Sequence, residues 1–392
     1  MIGAIIGDIV GSRFEFGAAP QQGFELFTPD CSYTDDTICT IAIADAVRAQ
    51  YPNAEILFVG AEGRMEMERV PKAGYKIEGL SVRGLDRKRP WRNFKVLLDF
   101  LRSEQKAKKL VREFHPQVVV GVGGYASAPT LRAAQRLGVP TLIQEQNSFA
   151  GKANKLLATR AKYICVAYPN MDRFFPKESI ILTGNPVRPI LEDSPLPDRS
   201  GALARFGFTD EEYPLLMVVG GSLGARTINE SIEAGLALLK ENKIRLIWQT
   251  GKAFAPRAQE AIKELGPDAA QWIVSMPFID HMEDAFSCAD VVVSRAGATT
   301  ISELCLLGKP SILVPSPNVA EDHQTCNAKA LSTRNAAVLV TDIEARNRLV
   351  DEALALIKDK QRQNDMSANV KQLAAPHSAR RIVELLESII SQ

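Results

Sequence analysis

The chain has 392 residues, of which 46% are hydrophobic and 24% charged, and its formal net charge is +1. That length is about two to three domains' worth, and a near-neutral balance gives no global field that would select nucleic acid. No apolar run reaches the roughly 18 residues of a membrane-spanning helix, and six scattered cysteines without a C-x-x-C pair read as reduced thiols rather than structural zinc.

The chain opens on an apolar, glycine-containing run from Met1 to Val10. Asp8 interrupts it and no basic segment precedes it, which argues against a signal peptide. A helical stretch covers Ile41 to Val47. Short apolar runs then alternate with helix-like segments. Glu55 to Val59, Val118 to Gly121, Thr141 to Gln144 and Tyr163 to Val166 are predicted strands of a first half. Leu215 to Val219, Arg245 to Gln249, Trp272 to Ser275, Val291 to Ser294 and Ser311 to Val314 are those of a second. This rhythm predicts an α/β protein with parallel sheets covered on both faces. The halves should part near Gly184-Asn185-Pro186-Val187-Arg188-Pro189, where two prolines break any regular element, with an exposed linker continuing over Asp193 to Ser200. His377 to Ile390 is a predicted helix, with Ile382, Val383, Leu385, Leu386 and Ile389 on one side.

Each half carries one apolar strand that runs into a glycine-rich turn and a helix. In the first the glycines are Gly121, Gly123 and Gly124; in the second they are Gly220, Gly221 and Gly224. Glycine lets the backbone approach a ligand closely, and the helix start behind it offers unpaired N–H groups and a partial positive charge. Two such turns imply two Rossmann-like halves facing a shared cleft that accepts phosphate.

From about Arg48 onward the chain resembles the MurG family of N-acetylglucosamine transferases. The resemblance rests on Leu57-Phe58-Val59-Gly60, Gly121-Val122-Gly123-Gly124-Tyr125, Gln144-Glu145-Gln146-Asn147, Gly184-Asn185-Pro186-Val187-Arg188, Gly220-Gly221-Ser222-Leu223-Gly224-Ala225 and the run from Ser294 to Glu303. It implies a GT-B fold, in which two Rossmann-like domains face a cleft. The implied reaction moves N-acetylglucosamine from UDP-N-acetylglucosamine to an undecaprenyl-pyrophosphoryl muramyl-pentapeptide, with inversion and no metal or other cofactor, at the cytoplasmic face of the bacterial plasma membrane. By the same resemblance Ser222 meets the donor diphosphate and Glu303 holds the ribose hydroxyls, as a carboxylate can for a diol. Ile279 presents backbone to the uracil, and Ala298, Thr299, Thr300, Ile301 and Ser302 line that pocket. Gln324 bonds the sugar, Asn147 and Arg188 also contact the donor, and Arg295 supplies counter-charge beside the leaving diphosphate. The domains so implied are residues 47–187, with helix 377–392 packing back on them, and 188–376.

The N-terminus departs from this pattern. The family opens with a strand and a Gly-Gly-Thr-Gly-Gly-His loop whose histidine is a candidate base. Here the histidines are His115, His281, His323 and His377, so no family base stands at the expected place and the catalytic base stays unassigned. Residues 1 to about 46 instead resemble the start of an ADP-ribosylglycohydrolase, in which Thr34, Asp35 and Asp36 would ligate metal. The second aspartate cluster that would complete such a site is missing, so an N-capped helix start at Asp35 or Asp36 is the better reading. Two expectations follow. The first strand is missing or poorly replaced by Gly3 to Val10, which leaves its neighbour's edge partly unpaired. Turnover falls well below that of an intact member. The alternatives are a UDP-sugar-binding protein without turnover and, from the N-terminus alone, an ADP-ribose hydrolase.

From Arg83 to Arg112 eleven Lys or Arg face three acids, Asp86, Asp99 and Glu104. Trp91, Phe94, Leu98 and Leu101 recur there at helical spacing, with Leu97 beside them. A basic amphipathic segment with aromatics fits an interfacial helix on anionic lipid; the alternative is a surface helix with its apolar stripe in the core.

Overall fold

The structure is a computed structural model. It describes residues 3–7, 35–64, 66–82, 93–192, 194–209, 212–221, 224–319 and 322–391. The chain divides into two compact units: residues up to Arg188 together with those from Ala375 onward, and Pro189–Ala374.

In the first unit the strands are β1 (Gly3–Gly7), β2 (Glu55–Ala61), β3 (Lys76–Leu80), β4 (Val118–Gly121), β5 (Thr141–Glu145), β6 (Tyr163–Val166) and β7 (Ile180–Leu182). The helices among them are α1 (Asp35–Gln50), α2 (Glu66–Lys72), α3 (Asn93–Phe114), α4 (Gly124–Arg136) and α5 (Lys152–Leu157). The second unit runs α6 (Pro189–Glu192), α7 (Arg199–Arg205), β8 (Leu215–Val219), α8 (Arg226–Glu241), β9 (Arg245–Gln249), α9 (Ala255–Glu264), β10 (Ile273–Met276), α10 (Met282–Cys288), β11 (Val291–Ser294), α11 (Ala298–Leu307), β12 (Ser311–Leu313), α12 (His323–Ser332), β13 (Val338–Leu339), α13 (Asp342–Lys358) and α14 (Lys360–Lys371). The chain then returns to the first unit as α15 (Ser378–Ile390).

Both sheets are parallel. Among the described residues the first has seven strands in the order β3-β2-β1-β4-β5-β6-β7, and the second has six in the order β10-β9-β8-β11-β12-β13. These are Rossmann-like orders: the chain lays strands outward from β1, or from β8, and then crosses back to lay the rest on the other side. The strands read as near-continuous apolar runs because alternate side chains enter cores on opposite faces. Leu215, Met217 and Val219 of β8 join one core, while Leu216 and Val218 join the other with Leu246 and Trp248 of β9. In the first unit Val119, Ile143 and Ile164 pack on one face; Val118, Val120, Leu142 and Cys165 pack on the other. The second of these cores includes Ile43 and Val47 of α1 and Ile382, Val383, Leu386 and Ile389 of α15.

One expectation is overturned. Gly3–Gly7 is not a poor substitute for a missing strand: it is an interior strand of the first sheet, parallel to β2 over Gly3↔Glu55 to Gly7↔Val59 and to β4 over Ala4↔Val118 to Gly7↔Gly121. The edges of β2 and β4 are therefore both paired. The physical requirement at that place is a short uncharged run able to sit between two strands, and Gly-Ala-Ile-Ile-Gly meets it with two β-branched residues. Strands β3, β7 and β13 were not expected either. The last two lie at sheet edges and are only three and two residues long, too short to leave a periodic signal. Asp35 and Asp36 open α1; their side chains, and Thr34, lie outside the described residues.

Candidate functional site

In sheets of this order ligands bind beyond the strand C-termini, at the point where the strand order reverses. In the second unit that point lies between β8 and β11, which pair with Val219 opposite Ser294. The turn Gly220–Gly224 leaves β8 there. Gly221 and Gly224 both hold a φ of 77°, in the left-handed region. A Cβ on Gly224 would stand 2.2 Å from the Thr250 carbonyl oxygen, so the turn is pressed against the β9 loop. Ser222 lies outside the described residues.

Behind the turn, α8 begins after Ala225 with no side-chain cap and no acid in its first turn. Helix α11, which follows β11, begins after Gly297 in the same way. Two helix starts on the same side of one switch point thus carry no acid of their own in the first turn to balance their positive ends. That is an anion site in physical terms. The first unit repeats the device: α4 starts after Gly123, whose φ is 110°, again without a side-chain cap or a first-turn acid.

Arg295 stands directly after β11. Its Nη1 donates to the carbonyls of Val314 and Pro315, both at 3.1 Å, and to Asp342 Oδ1 at 2.5 Å. The other oxygen of Asp342 accepts from the Thr227 hydroxyl in the first turn of α8, at 2.9 Å. One carboxylate therefore ties the guanidinium to the helix behind the glycine turn. Burial holds the Arg295 pKa below its ordinary value, against the opposing pull of Asp342.

Helix α11 carries Ala298 and Thr299 in its buried first turn, then Thr300, Ile301, Ser302 and Glu303. Glu303 is 1% exposed. A buried carboxylate that hydrogen-bonds a diol is a strong recognition element, because either partner left unpaired there is costly. Gln324 is the second residue of α12; its Oε1 accepts from the Ser316 N–H at 2.8 Å, leaving the amide NH2 as the group it can offer. Ile279 is buried, and its N–H is already given to Gln249 Oε1 at 3.1 Å.

In the first unit Asn147 follows β5. Glu145 fixes that loop: it accepts from the N–H of Asn147 at 3.1 Å, the N–H of Gly151 at 2.9 Å and Asn154 Nδ2 at 2.8 Å. Burial raises the Glu145 pKa while these donors lower it. Gln144 Nε2 donates to Asn185 Oδ1 at 2.8 Å, and Asn185 Nδ2 to the Gln146 carbonyl at 3.1 Å. The Gln146 side chain in turn donates to the Val122 carbonyl in the glycine turn. This chain of amides holds the loops of Gly121, Asn147 and Arg188 together. Sequence reading missed Gln249 and Asp342 altogether, and the only sequence signal was a polar residue at a strand end and a helix start.

Among the described residues one trio, His281, Glu283 and Asp284, lies close enough to hold a metal ion. It sits at the start of α10, where the helix dipole disfavours a cation, and Asp284 is already paired with Arg205 at 2.6 Å. In the N-terminal half of α3, Leu98 and Leu101 are 40% and 45% exposed, whereas Ala107 and Val111 further along are buried. Ala107 and Val111 share the buried face of α3 with Ser103 and Glu104, on the side of the helix away from Leu98. Arg83, Arg87, Lys88, Arg89, Trp91 and Arg92 lie outside the described residues, as do the side chains of Phe94 and Leu97. No described helix is long and apolar enough to cross a membrane.

The chain is similar to known glycosyltransferases. The glycosyltransferase family 28 N-terminal domain matches residues 36–166 and its C-terminal domain matches residues 215–382. Three relatives are each named UDP-N-acetylglucosamine--N-acetylmuramyl-(pentapeptide) pyrophosphoryl-undecaprenol N-acetylglucosamine transferase. The one from Porphyromonas gingivalis strain W83 is 56% identical, over 89% of this chain and 91% of its own length. That from Bacteroides thetaiotaomicron is 53% identical over 88% and 92%, and that from Cytophaga hutchinsonii 51% over 90% and 93%. The crystal structure of Acinetobacter baumannii MurG superposes with a TM-score of 0.73 over 98% of this chain and 99% of that one, at 24% identity, a likeness of fold. Identity above one half across almost nine tenths of the sequence, on this paired Rossmann-like architecture, makes the chain a member of the MurG family of glycosyltransferases.

Proposed function

We infer that the chain transfers N-acetylglucosamine from UDP-N-acetylglucosamine to the C4 hydroxyl of an undecaprenyl-pyrophosphoryl muramyl-pentapeptide. The acceptor oxygen attacks the anomeric carbon, the bond from that carbon to the diphosphate breaks with inversion, UDP departs, and the hydroxyl proton passes to a base. The observation that carries this reading is the second unit's switch point, where the starts of α8 and α11, neither with an acid in its first turn, turn their positive ends toward the place of a leaving diphosphate, with Arg295 between β11 and α11. Glu303 is the ribose acceptor, Ile279 and residues 298–302 form the uracil pocket, and Gln324 offers its amide to the sugar. Asn147 and Arg188 are the first unit's donor contacts, and Ser222 adds N–H groups to the phosphate turn.

The lipid-linked acceptor is met at the membrane. The exposed leucines of α3 and the basic residues from Arg83 to Arg112 support peripheral binding to anionic lipid on the cytoplasmic face of the plasma membrane. One observation favours binding without efficient turnover: no histidine occurs before His115, so the family's usual base has no counterpart in the first hundred residues. The test is incubation with UDP-N-acetylglucosamine and the lipid-linked acceptor. Formation of the disaccharide-linked lipid together with UDP supports the transferase reading. UDP binding without product leaves the binding-protein reading, and absence of both overturns the donor-site assignment.

A further inference from the structure

We propose that Gln249 is a positioning residue for the donor, its single side-chain amide fixing the glycine turn after β8 and the backbone at Ile279 relative to each other. The inference rests on the donor-site reading above.

Strand β9 lies between β8 and β10, and Gln249 is its last residue, in register with Val219 on one side and Met276 on the other. The side chain at that place reaches the loops of both neighbours. Gln249 Nε2 donates to the Gly221 carbonyl at 3.0 Å, and Gln249 Oε1 accepts from the Ile279 N–H at 3.1 Å. Gln249 is 2% exposed, so both bonds are made away from water, where an unmet partner is most costly.

Each bond has a separate consequence. The Gly221 carbonyl also accepts from the Gly224 N–H at 3.0 Å. An unsatisfied carbonyl oxygen facing a diphosphate would repel it; here two donors occupy that oxygen. Among the described residues nothing lies within 4 Å of a Cβ placed on Gly221, so their side chains do not pack this corner of the turn, and the hydrogen bonds hold it. On the other side, the Ile279 peptide follows β10 through Pro277 and the exposed Phe278, and Gln249 is what anchors its N–H. Glutamine suits the position because one planar group carries a donor and an acceptor. A glutamate would set a carboxylate oxygen against the Gly221 carbonyl, and a methionine of similar length would leave both backbone groups unmet.

The experiment compares the full chain with Gln249→Met and Gln249→Glu, using UDP as the probe in calorimetry, together with thermal unfolding without ligand. For the folded variants the dissociation constant for UDP should rise about ten-fold or more, the scale of buried hydrogen bonds lost, at unchanged binding stoichiometry. In turnover, KM for UDP-N-acetylglucosamine should rise by a similar factor while kcat stays within about two-fold. A merely structural residue would lower the stoichiometry and kcat with the folded fraction and leave the dissociation constant and KM alone. That pattern overturns the inference, as does a wild-type UDP affinity in either folded variant. If Gln249→Met does not fold, the isosteric Gln249→Glu decides. Glu303→Ala separates the two levels: weakened UDP binding there with normal binding in the Gln249 variants sinks this inference alone. A wild-type chain that binds no UDP sinks the donor site and this inference together.

Discussion

Gly221 and Gly224 share a φ of 77°, yet substitution by alanine should affect them very differently. An L-residue in the left-handed region costs about 1–2 kcal/mol, and both variants carry that term. At Gly221 nothing else is added from the described residues, because the new Cβ meets none of their atoms within 4 Å. At Gly224 the Cβ would stand 2.2 Å from the Thr250 oxygen and 3.0 Å from its carbon, both backbone, and 3.3 Å from Asn229 Nδ2. That oxygen accepts from Asn229 at 2.7 Å, and Asn229 Oδ1 accepts from Trp248 Nε1 at 3.0 Å. Relief of the overlap therefore displaces a buried hydrogen-bonded pair, adding about 1–3 kcal/mol for overpacking and about 1 kcal/mol for the bond. Gly224→Ala should cost about 3–6 kcal/mol and Gly221→Ala about 1–2 kcal/mol. In a domain of this size each 1 kcal/mol moves the unfolding midpoint by about 2–4 °C, so calorimetric melting resolves the two. Equal shifts from the two alanines would refute the argument from the Thr250 contact.

Glu66 is fully buried; one oxygen accepts from the Ala61 N–H at 3.0 Å, and the other makes no hydrogen bond to a described residue. Burial pushes its pKa up to about 7 from an ordinary 4.5. The folded state then holds the proton more tightly than the unfolded chain, so stability is greatest below the ordinary value and falls as pH rises toward about 7. Glu66→Gln should accordingly gain on the wild type between pH 5 and pH 8 in denaturant titrations; a constant difference contradicts the assignment. Replacing Arg87, Lys88, Arg89 and Arg92 with glutamine should weaken binding to anionic vesicles, at about 1 kcal/mol per residue, without changing UDP binding; equal vesicle binding at low salt would end the interfacial reading. Replacing residues 1–40 by a strand ending in Gly-Gly-Thr-Gly-Gly-His should raise turnover by about 10²–10⁴, the usual worth of general-base assistance. Equal rates for the two chains would show that the native N-terminus supplies its own base.

What the sequence revealed follows from how much each element buries. Strands β4, β6, β8, β9 and β11 have their expected bounds because both faces are covered, so every residue is under the same apolar demand. Lys76–Leu80 has exposed charged residues at its first and third positions and is buried only at Gly79 and Leu80, and a half-covered edge strand of that kind resembles a loop. Gly3–Gly7 was masked by a competing resemblance. Its place is set by partners about fifty and more than a hundred residues away, Glu55 to Val59 and Val118 to Gly121, which no local pattern contains. The same distance hides the supports of the candidate site. Motifs name Arg295, Ile279 and the glycine turn, but Asp342 and Gln249 act on them across the fold through backbone and side-chain atoms, and neither belongs to a recognisable motif.

The position of α15 bears on how the protein is made. Its apolar side completes the core over Ile43 and Val47 of α1, and Glu387 accepts from Gln50 and Tyr51 at the end of that helix. Yet the ribosome reaches Ser378 only after the whole of Pro189–Ala374 has been synthesised. Strand β1 of the first sheet therefore emerges before the second unit, while the helix that covers one face of that sheet emerges after it. Throughout that interval the nascent first unit presents an uncovered apolar strip, and the second unit, whose elements are contiguous, is free to fold ahead of it. Termination between Ala374 and α15 would release a chain with a finished second unit and a sticky first one, the kind of product that chaperones retain and proteases remove.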